Sequence, residues 1–415
     1  MQEKNASALP GRMIRDGGKA GRINYGFALG FDFPATKRPA FGRRWRVDMT
    51  DPKTASHTVG TAADRVDLKT MDRAALAEFV ADHGEPRYRG EQLFHWIYGK
   101  GVSDFEHMSN LPKRMRRGLQ RQATVEDIEV VEQQQAEDQT VKALFRLPSG
   151  REAETVLIPA IDERGEARRL TVCVSSQVGC AMGCEFCATG LMGFQENLTP
   201  GAIFDQVWHM NEVAEERFGR PVTNVVFMGM GEPLLNYDAV LESIDILTDE
   251  DSLNLSAQKI TVSTVGLARR IKDLADDQLR SNLAVSLHAP DNETRSSIMP
   301  VNEAEKTSLP ALKEALQYYA EKTGRQITYE YCLFKGVNDS EADARRLAEV
   351  ARWAPSKVNL LMYNPVEGLN FERTSEAQLD RFVEVLVQEG VTVTVRRSRG
   401  QDIDAACGQL ANEEE

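Results

Sequence analysis

The sequence predicts an α/β protein built on a partial parallel β/α barrel, preceded by a small helical domain and a short β-rich connector. Three observations predict this. From about residue 168, seven apolar runs rich in Val, Ile, Leu and Thr alternate with helix-period segments, a pattern that demands parallel strands joined by crossover helices. Before them come short β-like runs separated by the turn formers PSG and DERGE. Earlier still, from about Asp67, the periodicity is helical.

Taken in order, residues 1–66 are rich in Gly, Arg, Thr and Asp, lack sustained periodicity, and read as an irregular or weakly ordered N-terminal extension. Residues 67–122 read as a helical accessory domain, in which MDRAALAEFVADHG and EQLFHWIYGKG are helices and glycine closes the second. Residues 123–167 form the connector, with TVKALFRL and AETVLIPA as strands. The barrel spans 168–400, with strands RRLTVCV, TNVVFMG, QKITVST, NLAVSLH, QITYEYCLF, KVNLLMY and VTVTVRR. Helices between them include GAIFDQVWHMNEVAEERF, SLPALKEALQYYAEK and ADARRLAEVAR. Leu379, Phe382, Val383, Leu386 and Val387 form a helical stripe, and Ser375 with Gln378 is placed to make a capping box before it. Residues 401–415 are a C-terminal segment. Seven strands do not establish a complete eight-stranded barrel, but reactive groups belong on the loops leaving the C-terminal strand ends.

Composition narrows the function classes. Of the 415 residues, 41% are hydrophobic and 27% charged, as in a soluble globular protein. The N-terminus lacks the apolar core of a signal peptide, and no apolar run reaches membrane-spanning length. Arg43–Arg44 is followed by WRVDMTDPK, which does not read as a twin-arginine export signal. A cytoplasmic protein without a membrane partner is expected. Six cysteines are too few for a disulfide-built scaffold. A net charge of -13 argues against a uniformly basic coat for nucleic acid but leaves room for a local basic groove. Pro86 to Arg121 is such a place, with eight Lys or Arg against three acids and aromatic residues interleaved. Such a segment is either a solvated helical face or an RNA contact, where phosphates attract the cations and bases stack on the rings.

Four of the six cysteines, Cys173, Cys180, Cys184 and Cys187, lie within fifteen residues. The last three are spaced C-x3-C-x2-C, and no fourth Cys or His follows closely. A structural zinc site would want that fourth ligand. Redox thiols are a second reading. An iron–sulfur cluster accounts for the density of soft thiolates, and three ligands on four irons leave one iron open.

The spacing resembles the signature of the radical S-adenosylmethionine (SAM) superfamily, placed after the first barrel strand. The resemblance is closer still to bacterial dual-specificity RNA adenine-C2 methyltransferases. ETVLIP, CVSSQVGC, GCEFCATG, FMGMGEPLLNYD, TVSTVG, AVSLHAP, MYNPV and RGQDIDAACGQL carry it, in family order, through most of residues 67–412. It implies a radical SAM partial barrel with one 4Fe-4S cluster on Cys180, Cys184 and Cys187, whose open iron is chelated by the cosubstrate SAM. It also implies that Gly231, Glu232, Ser263, Ser286, Leu287, His288 and Asn364 contact SAM.

Cys407, alone an unremarkable thiol, corresponds by resemblance to the residue that accepts a methyl group from SAM and presents it to adenine. Cys173 matches the resolving cysteine that pairs with it in a disulfide during turnover, and Glu154 matches the base that removes the adenine C2 proton. Cys332 matches no role and reads as a buried strand residue. The implied substrates are large-subunit ribosomal RNA and certain tRNAs, served by a monomer and an external electron donor of the flavodoxin or ferredoxin kind. An adenine-C8 methyltransferase of the related antibiotic-resistance type shares the cysteine plan. A non-enzymatic iron–sulfur RNA-binding or sensor protein is the alternative outside enzymology.

Overall fold

The computed structural model describes residues 65–300 and 308–411, so the N-terminal extension lies outside the described residues except for its last two positions. Strands β1 (Val66–Asp67) and β2 (Ala123–Thr124) pair in parallel and bracket the helical region. Between them, Arg73–Asp82 begins at Asp72, whose side chain accepts the Ala75 amide, and buries Leu76, Phe79 and Val80.

The second expected helix is interrupted. Tyr88–Phe94 is α-helical, but His95–Gly99 opens into a π turn. The wider turn sets Tyr98 edge-on to Phe204, with ring centroids 5.0 Å apart, and its hydroxyl donates to the Lys69 carbonyl at 3.1 Å. Only glycine fits at position 99, since a Cβ there would lie 2.3 Å from the Asp251 carbonyl oxygen. The third helix, Lys113–Gln122, buries Met115 and Leu119 and leaves Lys113, Arg114, Arg117 and Arg121 exposed.

One ten-stranded sheet organises the remainder. Strands β3 (Glu129–Gln135), β4 (Val141–Arg146), β5 (Glu152–Ile161) and β6 (Ala167–Cys173) run antiparallel as a meander. A small hairpin, β7 (Gln177–Gly179) with β8 (Phe194–Asn197), then projects from the sheet. The chain returns through β9 (Asn224–Phe227), β10 (Ile260–Thr264), β11 (Asn282–Ser286), β12 (Ile327–Leu333), β13 (Ser356–Met362) and β14 (Val393–Arg396). From β6 through β9 to β14 every neighbouring pair is parallel. All seven expected barrel strands are therefore present, and the barrel is open, with β14 and β3 as its edges. The connector is continuous with the barrel, because β5 bonds directly to β6.

Strand β3 has no counterpart in the sequence reading. Both its faces are exposed, so its EVVEQQQ carries no apolar alternation to read. A register shift between Val130 and Glu132 and its acidic side chains suit it to an edge. Ser375 does cap the helix Glu376–Gln388 by accepting the Gln378 amide, but the Gln378 side chain donates to the Asp339 carbonyl at 2.5 Å. A reciprocal capping box forms instead at Ser340 and Asp343. No helix among the described residues is long and apolar enough to cross a membrane.

The accessory helices are fastened to the sheet by a buried ion pair. Lys69 Nζ lies 2.7 Å from both carboxylate oxygens of Asp205, on the helix Pro200–Phe218, and 3.3 Å from Asp127. Gly201 permits this approach, since a Cβ there would stand 2.5 Å from the Lys69 Cβ. Asp205→Ala leaves the buried ammonium only the more distant, half-exposed Asp127 and is expected to lower unfolding free energy by about 3 kcal/mol. Glu372→Ala, which breaks the exposed pair with Lys335, should change it by less than about 1 kcal/mol. Urea unfolding of the two variants measures the difference, and equal losses would mean that the Lys69 pair is not a structural fastening.

Candidate active site

The C-terminal ends of the parallel strands surround a cleft of about 850 Å³. It is walled by the loops after β9, β10 and β11, by β12 and β13, and by the loop carrying Cys407. Gly231, Glu232, Ser263, Ser286, His288, Asn364, Cys187 and Cys407 all line it. Leu287 does not: its side chain is fully buried, and its amide donates to the Glu330 carbonyl at 3.0 Å.

The cysteine loop is built by glycines and hairpin bonds. Gly179 sits at φ 68, where a Cβ would fall 1.8 Å from the Gly193 carbonyl, so the turn into Cys180 requires glycine. The Cys180 amide donates to that same carbonyl at 3.0 Å, and the Cys187 amide to the Cys184 carbonyl at 3.1 Å. Burial pushes the Cys180 thiol up to about 12, while Cys184 and Cys187 are raised by burial and, less, by neighbouring thiols. Three soft donors from one short loop suit an iron–sulfur cluster chemically. Even so, no group of three His, Cys, Asp or Glu among the described residues is arranged to hold a metal ion.

The polar groups on the cleft wall are largely engaged by the protein itself. Glu232 receives the Leu234 amide at 3.0 Å on one oxygen and the Val265 amide at 2.8 Å on the other, and burial pushes its carboxyl up to about 7. Gly231, at φ 99, abuts Gln177, where a Cβ would meet side-chain carbon at 2.5 Å. The Ser263 and Ser286 hydroxyls stand 3.4 Å apart. Asn364 donates to the Cys407 carbonyl at 3.1 Å and accepts from Gln401 at 2.8 Å.

Cys173 and Cys407 share a second, smaller cavity with Met228 and Arg396. All six cysteines are free thiols, so the disulfide implied for turnover is not formed in this structure. Burial, and secondarily Cys407, push the Cys173 thiol up to about 12. Two hydrogen bonds join the cysteine loop to the C-terminal segment: Ala188 amide to Gly408 carbonyl at 2.9 Å, and Thr189 hydroxyl to Leu410 carbonyl at 2.5 Å.

Glu154 lies on β5 and does not itself line the cleft, but its amide meets Met230 Sδ, between the cleft residues Gly229 and Gly231, at 3.4 Å. Lys142 Nζ approaches one of its oxygens at 2.9 Å, and the Ala411 amide donates to the other at 2.8 Å. Burial raises its pKa, and Lys142 partly opposes the shift.

Sequence reasoning missed Met228, Glu330 and Arg396, and gave Cys332 no role, although all four line the cleft. Glu330 is buried and accepts from Asn359 at 2.7 Å. Its signal was available: a lone carboxylate between apolar neighbours in TYEYCLF, on a strand covered on both faces, has to meet a polar partner. The Arg396 pKa is raised, chiefly by Cys407, with Cys173 and Glu330 contributing and burial opposing.

His288 is a neutral acceptor. It adopts φ 54, takes the Cys332 amide on Nδ1 at 3.0 Å and meets Phe186 edge-on at 5.0 Å. Burial, and then Arg295, push its pKa down to about 3. The unfolded chain, titrating near 6.5, therefore binds more protons as pH falls from about 6.5 toward 3, and stability drops through that window. His288→Asn tolerates the left-handed backbone and keeps an acceptor. Between pH 7 and 5 the variant should lose about 2 kcal/mol less stability than the wild type. Identical pH slopes in urea unfolding would mean that His288 is not a source of acid sensitivity.

Comparison with known proteins agrees with this architecture. Residues 66–125 match the family model described as the ribosomal RNA large subunit methyltransferase N-terminal domain, and residues 174–348 match the radical SAM superfamily. A probable dual-specificity RNA methyltransferase RlmN of Salinibacter ruber is 90% identical over 88% of this chain and 100% of its own length. Its counterpart from Cytophaga hutchinsonii is 42% identical over 86% of this chain and 96% of its own. The crystal structure of a radical SAM methyltransferase from Sphaerobacter thermophilus, 43% identical, superposes with a TM-score of 0.76 over 83% of this chain and 98% of that one. By its length-wide identity to these proteins, the chain belongs to the RlmN family of radical SAM methyltransferases.

Proposed function

We propose that the protein methylates C2 of adenine in large-subunit ribosomal RNA and tRNA, using SAM both as methyl donor and as radical source. One observation carries the reading: Cys407 faces the same cleft as Cys187 and the strand-end loops, and shares a smaller cavity with Cys173. Cys180, Cys184 and Cys187 would hold a 4Fe-4S cluster. When bound, the cluster supplies the electron that cleaves SAM to a 5′-deoxyadenosyl radical.

The chain's own residues do the rest. Cys407 is the nucleophile that takes the methyl group from a first SAM, a step suited to sulfur. Asn364 fixes the backbone at that thiol. Gly231, Glu232, Ser263, Ser286, Leu287 and His288 shape the SAM pocket; for Glu232 and Leu287 this means holding loop backbone as well as any direct contact. Glu154 is the base for the C2 proton, and its bond to Ala411 must open before it can serve. The 5′-deoxyadenosyl radical takes a hydrogen atom from the methyl on Cys407, and the resulting carbon radical adds to C2. After Glu154 has taken the C2 proton, attack of Cys173 on the Cys407 sulfur breaks the S–C bond. The freed carbon takes a proton, one electron is given back, and a disulfide remains for an external reductant to reopen.

Adenine C2 is a poor nucleophile toward a sulfonium methyl, which favours this radical route over direct transfer. The electron donor is proposed to be a flavodoxin or ferredoxin type of carrier, and the enzyme a cytoplasmic monomer. Adenine C8 is the competing position, and mapping the modified adenines by mass spectrometry decides between them.

The two outer cysteines should separate cleanly. Cys407→Ala is expected to abolish methylated adenine. Cys173→Ala should still load one methyl on protein and accumulate an RNA-linked species, and both variants should retain iron. Intact-protein and adduct mass spectrometry after anaerobic incubation with reductant, SAM and RNA reads these outcomes, and wild-type adenine methylation by the Cys407 variant would overturn the mechanism.

The helix Lys113–Gln122 supports RNA contact, because Lys113, Arg114 and Arg117 are exposed and form no ion pair among the described residues. Arg116 instead donates to the Glu106 carbonyl. Neutralising Lys113, Arg114, Arg116 and Arg117 together should weaken RNA binding and flatten its salt dependence by roughly two to three in log–log slope. Unchanged affinity and slope in a folded variant would assign this face to another role.

A further inference from the structure

Beside the cleft lies a third cavity, of about 510 Å³, whose chemistry the reaction described above does not use. It opens at the C-terminal ends of β13 and β14 and is lined by Met362, Arg373, Arg396, Arg397, Ser398 and Gln401, with Glu376 its single carboxylate. Arg396 is common to all three cavities, so this pocket adjoins both the cleft and the chamber of the two thiols.

Its positive charge exceeds the one carboxylate, Glu376, in its lining. Arg373 and Arg397 are exposed and enter no ion pair among the described residues, whereas nearby Arg399 stands 3.8 Å from Asp138. The guanidinium of Arg373 reaches Met362 Sδ at 3.3 Å, a neutral acceptor that cancels none of its charge. Its backbone is fixed by a bridge to Phe334, at the end of β12. In a chain of net charge -13, the two exposed guanidinium groups of Arg373 and Arg397 at one hollow beside the thiols, with Arg396 in its wall, make a local field that selects an anion. A planar fork of N–H donors recognises phosphate oxygens in pairs, and Ser398 and Gln401 add neutral donors at the rim.

We propose that this pocket binds a phosphate of the RNA strand that carries the target adenine, with Arg373 and Arg397 as the groups that grip it. The proposal rests on the RNA-methyltransferase reading above. A base that must reach Cys407 through the cleft has its own phosphates just outside, and a cationic pocket there fixes where the strand stops. These arginines position the substrate and touch no reacting atom.

The test is the Arg373→Gln, Arg397→Gln double variant, with binding of fluorescently labelled tRNA followed by anisotropy across a salt series. At 0.1 M salt the dissociation constant should rise at least about fivefold, and the log–log salt slope should become shallower by roughly one to two. The Arg→Lys pair should keep most of the slope. Arg397→Gln alone should give about half the change, which preserves the test if the double variant fails to fold. Methyl loading of Cys407 from SAM, read by intact mass, should proceed at the wild-type rate. Inorganic phosphate should compete with tRNA more weakly in the variant. Unchanged tRNA affinity and slope would overturn the proposal. So would impaired methyl loading with normal tRNA binding, which would make the pocket a seat for the SAM carboxylate. Failure of the wild-type protein to bind RNA at all would instead refute the RNA reading, and this pocket with it.

Discussion

A parallel strand pair cannot be closed by a hairpin, and the rest of this structure depends on that constraint. In the parallel run β6, β9, β10, β11, β12, β13 and β14 the chain must cross back over the sheet before each next strand begins, so every strand of that run ends on the same side. The C-terminal ends of β10 and β11 and the loops after β9 and β13 therefore converge, bringing Glu232, Ser263, Ser286 and Asn364 to one cleft although they lie far apart in sequence. The cysteine hairpin leaves β6 at the same end. Its position is a consequence of strand direction, and its detailed shape is a consequence of three left-handed glycines, Gly179, Gly183 and Gly193.

What could be read from sequence follows from this geometry. Strands covered on both faces must be continuously apolar, and NLAVSLH and QITYEYCLF announce themselves that way. Each cleft residue on a short motif after such a strand was also legible, because chain direction alone says where the motif lies. The unread parts have physical causes. Strand β3 is exposed on both faces, so nothing marks it. The π turn at His95–Gly99 brings Gly99 against a distant turn at Asp251, a contact that no local propensity encodes. Arg396 sits in a basic run, RRSRG, where sequence cannot say which guanidinium turns inward toward Cys173 and Cys407.

The polar residues of the cleft show how burial changes the meaning of a side chain. A carboxylate removed from water needs donors, and Glu232 finds them in the amides of Leu234 and Val265, tying the loop after β9 to the loop after β10. Glu154 does the same between β4 and the C-terminal segment. His288 remains neutral because the fold encloses it, and so it works as an acceptor for the β12 backbone. Groups that resemblance marks as ligand contacts thus also hold the loops that define the pocket, and removing any of them disturbs shape together with recognition.

The two outer thiols are held in unlike ways. Cys173 ends a strand, is almost wholly enclosed, and shares in the ladders that β6 makes with β5 and β9. Cys407 sits on an irregular loop between the left-handed residues Asp404 and Gly408. That loop is anchored near the thiol by separate bonds from Ala188, Asn364 and Ala411. Each such bond contributes on the order of 1 kcal/mol, and the Thr189 bond to Leu410 with the buried Ala405, Ala406 and Leu410 adds to the hold. A thiol on a strand is fixed by the ladders around it, whereas a thiol on an irregular loop is bound into none. In the proposed mechanism Cys407, which would carry a group from a donor to an acceptor, uses the second arrangement, and Cys173, which would receive the carrier's sulfur at the end, uses the first.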